Sequence, residues 1–268
     1  MVEHRGPLIG IGREAEVFAW GDGGALKLFL TADQAADAEH EASVTQAVHD
    51  AGLPVPAVEG TVEVDGRPGI IFERVDGPSM LSELGRRPWQ VRNLAHLLAD
   101  LHLRVHACEL PGLLSLKQML EEWFRRDELL PASIRDAGQK ALRLLPEGDI
   151  LCHLDFHPDN IVMTSRGPVI IDWMTAKRGD RHADIAATSL LVRHGASVPG
   201  TARQWLMRAG RALFHSMYMK RYLDRQAVSP ALIAAWRLPL AAVRLTDNIP
   251  GERDDLLVVI SERMESLR

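Results

Sequence analysis

Eight consecutive residues, His153-Leu-Asp155-Phe-His157-Pro-Asp159-Asn160, gather two imidazoles, two carboxylates and an amide. His153, Asp155 and His157 alternate, so a strand would turn all three to one face. Imidazole and carboxylate suit Zn2+ or another transition metal, and such a trio would fit a metal-dependent hydrolase. Against this, Pro158 breaks the strand directly after them. No cysteine or histidine pair follows at ligand spacing, and His182 and His194 are the only later histidines near in sequence.

A second reading rests on spacing. His153-x-Asp155-x4-Asn160 has the form of a phosphoryl-transfer loop, in which the aspartate accepts a hydroxyl proton and the asparagine holds Mg2+. Twelve residues on, PVIID carries Asp172 to the tip of an apolar run. A hairpin between Asn160 and Asp172 would return the chain and bring two hard oxygen donors to one ion. This reading demands further parts upstream, in a fixed order. A glycine turn is present as Gly10-Ile-Gly12-x-x-Ala15-x-Val17, and Lys27 lies within the apolar run ALKLFL. A charge in a half-buried strand costs free energy unless paired. Glu39 and Glu41 stand on the next segment, two residues apart, so only one of them can face Lys27. Glu41 is preferred because it precedes the apolar positions Ala42, Val44 and Val48, with Glu39 as the alternative. Each part alone is common, and a bare glycine turn is weak. The order of the five carries the reading. A nucleotide-binding but catalytically idle module is the rival, and the intact Lys27, Asp155, Asn160 and Asp172 speak against it.

The elements that must position these residues can be read from pattern. LIGIG, AEVFAW and ALKLFL read as three strands, with GDGG as the turn before the third. A helix follows over 32–51, closed by Gly52 and Pro54. VEGTVEV and GIIFERV flank the turn DGRP as a second hairpin. Beyond ERVDGP, residues 73–78, the composition shifts, and a division into 1–75 and 76–268 is expected. The second part is mostly helical. Val91, Leu94, Ala95, Leu98, Leu101, His102 and Val105 share one helical face. Ser115 and Gln118 form an S-x-x-Q capping pattern. ILCHL (150–154) leads as a strand into the histidine-rich cluster, and NIVM and PVIID pair across TSRG. Helices are expected over 183–194 and 201–223, after Ser229-Pro230, and over 254–267.

Bulk properties narrow the function. The chain has 268 residues, 46% hydrophobic and 25% charged, and a formal net charge of -5. The charge balance is that of a soluble globular protein without the basic signature of a nucleic-acid or anionic-membrane partner. Two cysteines, Cys108 and Cys152, build no disulfide framework and fit a reducing cytoplasm. The longest apolar stretch, ALIAAWRLPLAAV, holds Arg237 and Pro239 and reads as a buried helix or helix pair, not a membrane span.

With these parts in place, the sequence resembles the aminoglycoside phosphotransferase and choline kinase family, small-molecule relatives of the protein kinases. The resemblance spans nearly the whole chain and rests on HLDFHPDNIVM, PVIIDW, RGDRHADIA and GLPVPAV. It implies an α+β, two-lobed, protein-kinase-like fold: a small β-rich lobe over 1–75 that binds nucleotide phosphates, and a mainly helical lobe over 76–268 that carries the catalytic loop and acceptor site. It implies ATP and Mg2+ as cofactors and a small-molecule hydroxyl as acceptor. By position, Asp155 resembles the catalytic base and Asn160 and Asp172 the Mg2+ ligands. Gly10 and Gly12 resemble the phosphate-covering loop, Lys27 and Glu41 the phosphate-orienting ion pair, and the segment from Glu73 to Val75 the hinge whose backbone meets adenine. His157 stands where serine/threonine protein kinases place a lysine, and Asp172-Trp173-Met174 replaces D-F-G. The gap from Asp172 to Asp184 is too short for a phosphorylatable activation loop. Ala15 replaces a third glycine, and Arg13 and Glu14 occupy the loop tip.

The remaining candidates read as scaffold. Asp184 is expected to cap its helix or bind the catalytic-loop backbone, and Asp180 to fix a turn. His153 is expected to be a buried residue that donates to backbone near Asp172. His102 and His106, spaced i, i+4 without an HExxH frame, read as helix-packing residues. Trp123, Phe124 and Trp205 read as core, and Asp247, Glu252, Asp254 and Asp255 as a solvated face.

Overall fold

The computed structural model describes residues 5–195 and 202–266, the side chains of 202–205 excepted. The start of the helix expected over 201–223, the end of the one expected over 254–267 and the packing of Trp205 lie outside the described residues. Grouped by contacts, the chain forms two compact units. The first comprises 1–86 and 159–175, the second 87–158 and 176–268. The cut at residue 75 was a reading of composition; by contacts the first unit runs eleven residues further and takes in a second segment.

The first unit is built on a five-stranded antiparallel sheet in the order β1-β2-β3-β5-β4, with β1 Arg5–Ile11, β2 Ala15–Trp20, β3 Gly24–Phe29, β4 Val58–Val64 and β5 Arg67–Glu73. The loop between β4 and β5 is two residues long, and Asp65 and Gly66 both take positive φ, 54° and 74°. That is the backbone a type I′ turn requires, and Asp-Gly supplies it at little cost. Helix α1, Ala35–Asp50, follows a single 3-10 turn. It buries Ala38 and Ala42 against Phe29 of β3 and Ile70 of β5, and Met174 joins this cluster. Three more elements complete the unit: α2 Met80–Arg86, which the sequence reading missed, and the hairpin β7 Ile161–Thr164 and β8 Gly167–Ile170. The hairpin is tied in by backbone bonds, Met163 N–H to Pro78 O at 2.8 Å and Ile170 N–H to Pro54 O at 2.7 Å.

The second unit is helical: α3 Val91–Val105, α4 Leu116–Arg126, α5 Ala132–Leu144, α6 Arg181–His194, α7 Ala202–Arg225, α8 Pro230–Thr246 and α9 Arg253–Glu265. The stretch with Arg237 and Pro239 is the single helix α8, with Pro239 inside it. Ser115 and Ser229 cap α4 and α8 by accepting from Gln118 N and Leu232 N. A short ribbon pairs β6 Ile150–Cys152 with β9 Lys177–Gly179. The strand expected over 150–154 therefore stops at Cys152. The cause is local: the next two amides, of His153 and Leu154, are drawn to a side chain instead of a ladder partner. Strand β9 was not foreseen, because three residues carry too little alternation to read. Among the described residues no helix is long and apolar enough to cross a membrane.

Candidate active site

The first unit brings four of the expected residues together. Lys27 projects from β3 and Glu41 from α1. Lys27 Nζ lies 2.8 Å from each Glu41 oxygen and 2.9 Å from Asp172 Oδ1. Geometry therefore decides between the two glutamates: Glu41 is buried on the sheet side of α1, and Glu39 is exposed. Burial opposes the charge on Lys27, but Glu41 and Asp172 outweigh it and hold the lysine pKa above its ordinary value. Glu41 is raised as well, to about 7, by burial against the downward pull of Lys27. Two oxygens at 2.8 Å from one ammonium are the geometry of an ionised pair, and that is the state the contacts support.

Asp172 follows β8 in left-handed backbone, φ 65°. Non-glycine residues rarely adopt it, and at functional sites such strain is held by the surroundings. Here Trp173 is fully buried behind it and donates Nε1–H to Ile170 O at 3.3 Å. Ile171 N–H donates to Asn160 O at 3.0 Å, which extends the β7–β8 ladder and sets Asn160 beside the Asp172 segment. The expected hairpin thus returns the chain as the spacing required. The chemistry of Asn160 and the lysine-held Asp172 fits Mg2+, which prefers few protein oxygens and retains other ligands. The Asp172 side chain is 40% exposed, with Oδ1 engaged by Lys27, whereas Asn160 is buried.

Gly10 and Gly12 lie on β1 and just past it. The turn closes with Gly12 N–H to Ala15 O at 2.8 Å, and a Cβ on Gly12 would stand 3.2 Å from that oxygen. Burial, and then the charge of Asp172, raise the pKa of Glu14 at the loop tip. Glu73 ends β5, and its carboxylate is held by Arg166 of the β7–β8 turn, which lowers its pKa. Val75 lies two residues on in irregular backbone, half-buried.

Asp155 belongs to the second unit and is half-buried there. Its amide donates to His153 Nδ1 at 3.3 Å, and its Oδ2 lies 3.6 Å from His157 Nε2. His153 is fully buried, as expected, and this ring nitrogen is an acceptor from the backbone. Asp184, on α6, is the residue that fixes this loop. Its Oδ2 accepts from His153 N at 2.7 Å and its Oδ1 from Leu154 N at 2.7 Å. Leu154 is held between these contacts at φ 66°. The cap of α6 is Asp180 instead, which accepts from His182 N at 2.7 Å.

One alternative fails and one expectation is corrected. Among the described residues, His153, Asp155 and His157 do not form a cluster within metal reach; the one such trio is His102, His106 and Asp184, all buried. Glu252 is not on a solvated face: it is buried and grips Arg244 at 2.7 and 3.0 Å. Asp255 is shared with Arg208 and His194. Sequence reasoning also left out Tyr218 and Tyr222, which bond His102 and His106. A signal existed: the histidines and the tyrosines are both i, i+4 pairs, matched in spacing on two helices.

Comparison with known proteins follows the same lines. The model of the phosphotransferase enzyme family matches residues 6–232. No curated protein matches the chain. Among solved structures, a thermostable mutant of aminoglycoside phosphotransferase APH(4)-Ia is similar at 17% identity and TM-score 0.68, over 98% of this chain and 95% of that one. An aminoglycoside-3'-phosphotransferase of type VIII is similar at 20% identity and TM-score 0.59, over 88% and 92%. Choline kinase LicA from Streptococcus pneumoniae is similar at 18% identity and TM-score 0.59, over 98% and 93%. The fold is protein-kinase-like, with a β-sheet lobe and a helical lobe. With the family model covering most of its length, the chain belongs to the phosphotransferase enzyme family.

Proposed function

We propose that this enzyme transfers the γ-phosphate of ATP to a hydroxyl group of a small molecule, with Mg2+ as the assisting ion. The observation that carries the reading is Lys27 shared between Glu41 and Asp172, with Asn160 beside Asp172 across the β7–β8 ladder. ATP is supported by two APH(4)-Ia mutants solved as ternary complexes, one with AMP-PNP and hygromycin B and one with ADP and hygromycin B. When bound, Mg2+ would neutralise charge on the transferring phosphoryl group, and Asn160 and Asp172 are the side chains that would hold it.

The chain's own residues then have distinct tasks. Lys27, fixed by Glu41, positions the α- and β-phosphates. Gly10 and Gly12 let backbone approach the nucleotide, and the Glu73–Val75 segment offers backbone to adenine. Asp155 orients the acceptor hydroxyl and takes its proton. Little covalent chemistry is asked of the protein, so positioning and electrostatics supply most of the rate. In this reading residues 1–75 serve the nucleotide, and 76–268 the catalytic loop and acceptor. Neither nucleic acid nor membrane is a partner. The free thiols Cys108 and Cys152 suit a cytoplasmic enzyme.

The test is ATP consumption, with mass detection of product, across aminoglycosides, choline-like amines, sugars and amino alcohols, with and without Mg2+. Phosphorylated product in at least one class, dependent on Mg2+, is the expected result. Tight stoichiometric Zn2+ and hydrolysis without ATP would overturn it.

A further inference from the structure

Asp184 is a carboxylate buried to zero exposure with no lysine or arginine within ion-pair distance among the described residues. A lone buried charge costs several kcal/mol unless hydrogen bonds replace its water. Four donors do so here. Besides the amides of His153 and Leu154, His102 Nε2 and His106 Nε2 each lie 3.1 Å from Asp184 Oδ2. The other nitrogen of each ring is also engaged: His102 Nδ1 lies 2.7 Å from Tyr218 Oη and His106 Nδ1 2.6 Å from Tyr222 Oη. One proton assignment satisfies every group. Each tyrosine donates its O–H to Nδ1, and each histidine donates Nε2–H to the carboxylate.

We propose that His102, His106, Tyr218 and Tyr222 are positioning residues for phosphoryl transfer, acting through Asp184 on the backbone of the loop that carries Asp155. The inference rests on the reading of Asp155 given above. The tyrosines select the tautomer, the tautomer supplies two N–H donors, and those donors let an uncompensated Asp184 carboxylate stay charged and fixed. Asp184 in turn holds the Leu154 amide in left-handed backbone, one residue before Asp155. His102 also touches the loop directly. The His102 ring stacks on Phe156, with centroids 4.3 Å apart and planes 24° apart. Both residues are fully buried, and Phe156 follows Asp155 directly in the chain. The same His-His-Asp trio has ligand atoms within 4.8 Å of one another, a spacing that could hold a metal ion. The hydrogen-bonded arrangement engages both ring nitrogens of each histidine and both Asp184 oxygens without one. The two ends differ in surroundings: His106 and Tyr222 border a cavity of about 280 Å³, whereas His102 and Tyr218 are sealed. Tyr218→Phe should therefore cost more than Tyr222→Phe, where water can enter and replace the lost hydroxyl.

The experiment compares His106→Leu, His106→Gln and both tyrosine variants in the full chain. Glutamine can place an N–H2 near the position of Nε2, and leucine cannot. Expected is a kcat loss of about 10²-fold in His106→Leu, the size a 1 Å misplacement produces, with KM for ATP unchanged and most of kcat restored in His106→Gln. The His153 and Leu154 amides should lose hydrogen-exchange protection in the same order. These exchange readouts need no acceptor, so they separate a failure here from a failure of the proposed activity. Tyr222→Phe is the mild variant should His106→Leu not fold. Equal kcat in leucine and glutamine variants, unchanged protection of Leu154, or one equivalent of tightly held metal in the wild type would each overturn the proposal.

Discussion

Lys27 Nζ stands 2.9 Å from Asp172 Oδ1 while holding both Glu41 oxygens at 2.8 Å. One ammonium thus ties the central strand, the helix and the end of the β7–β8 hairpin. Removing it would leave Glu41, buried at 2% side-chain exposure, without a cation. Breaking a buried pair on one side costs about 3 kcal/mol or more. Lys27→Met should therefore lower stability by that order in urea melts. It should also reduce kcat/KM for ATP by about 10²-fold, the effect of losing one preorganised electrostatic contact. Unchanged ATP kinetics would remove Lys27 from the phosphate site.

Asp155→Asn keeps the shape of the side chain and removes the proton acceptor. General-base catalysis of this kind is worth about 10²–10⁴-fold. A drop of that size in kcat is expected, with ATP affinity within a few-fold of wild type by calorimetry. Asp172→Ala should differ by losing the Mg2+ dependence of nucleotide binding as well as turnover. If Asp155→Asn turned over at the wild-type rate, the proton would have to leave by another route.

Acid should destabilise the second unit through its buried imidazoles. Burial first, and then His102 and Arg181, hold His106 down at about 4 against the pull of Asp184. Burial with Arg193, Arg237 and His194 does the same for His215, also at about 4. Both titrate near 6.5 when unfolded, so the unfolded chain binds more protons between these values. Their contribution is fully present above pH 6.5 and is lost as pH falls through 4, by up to about 3 kcal/mol each. Asp184, held well below the ordinary carboxylate range despite its burial by His102 and His106, adds to the loss at still lower pH. Melting temperature should fall steadily from pH 7 to 4.5, and a flat profile over that range would count against neutral buried histidines.

Gly77 has a role that its composition-shift setting did not suggest. A Cβ there would stand 2.2 Å from Met163 O and 2.9 Å from Met163 C, both backbone atoms of β7. Neither can yield without moving the hairpin. Gly77→Ala should cost about 2 kcal/mol or more, in the range of severe packing or backbone conflicts. Thermal unfolding measures it, with Gly85→Ala, where nothing lies within 4 Å, as the near-neutral control.

What the sequence made legible follows from how locally each feature is encoded. The Asp65-Gly66 turn, the apolar face of α3 and the pairing of NIVM with PVIID depend on near neighbours, and the strands and helix appear where pattern put them. Lys27 with Glu41 was legible because a charge amid ALKLFL needs a partner and few candidates stand on the next element. The early end of β6 was not, because it depends on Asp184, about thirty residues away. Tyr218 and Tyr222 stayed hidden for the same reason: 116 residues separate each from its histidine. The solvated reading of Glu252 failed because Arg244, its partner, lies on the preceding helix.

The contact grouping has a consequence for how this gene could be taken apart. Asn160 and Asp172 belong to the same compact unit as Lys27 and Glu41, yet more than seventy residues of the other unit separate them in the chain. A fragment ending at residue 86 would carry the sheet and the Lys27–Glu41 pair without Asn160 or Asp172, and without the β7 strand whose Met163 amide bonds Pro78. The sheet-bearing half is therefore not a transplantable cassette. Recombination that swaps the amino-terminal third between relatives would have to carry the 159–175 segment along, or accept a mismatched seam at Gly77.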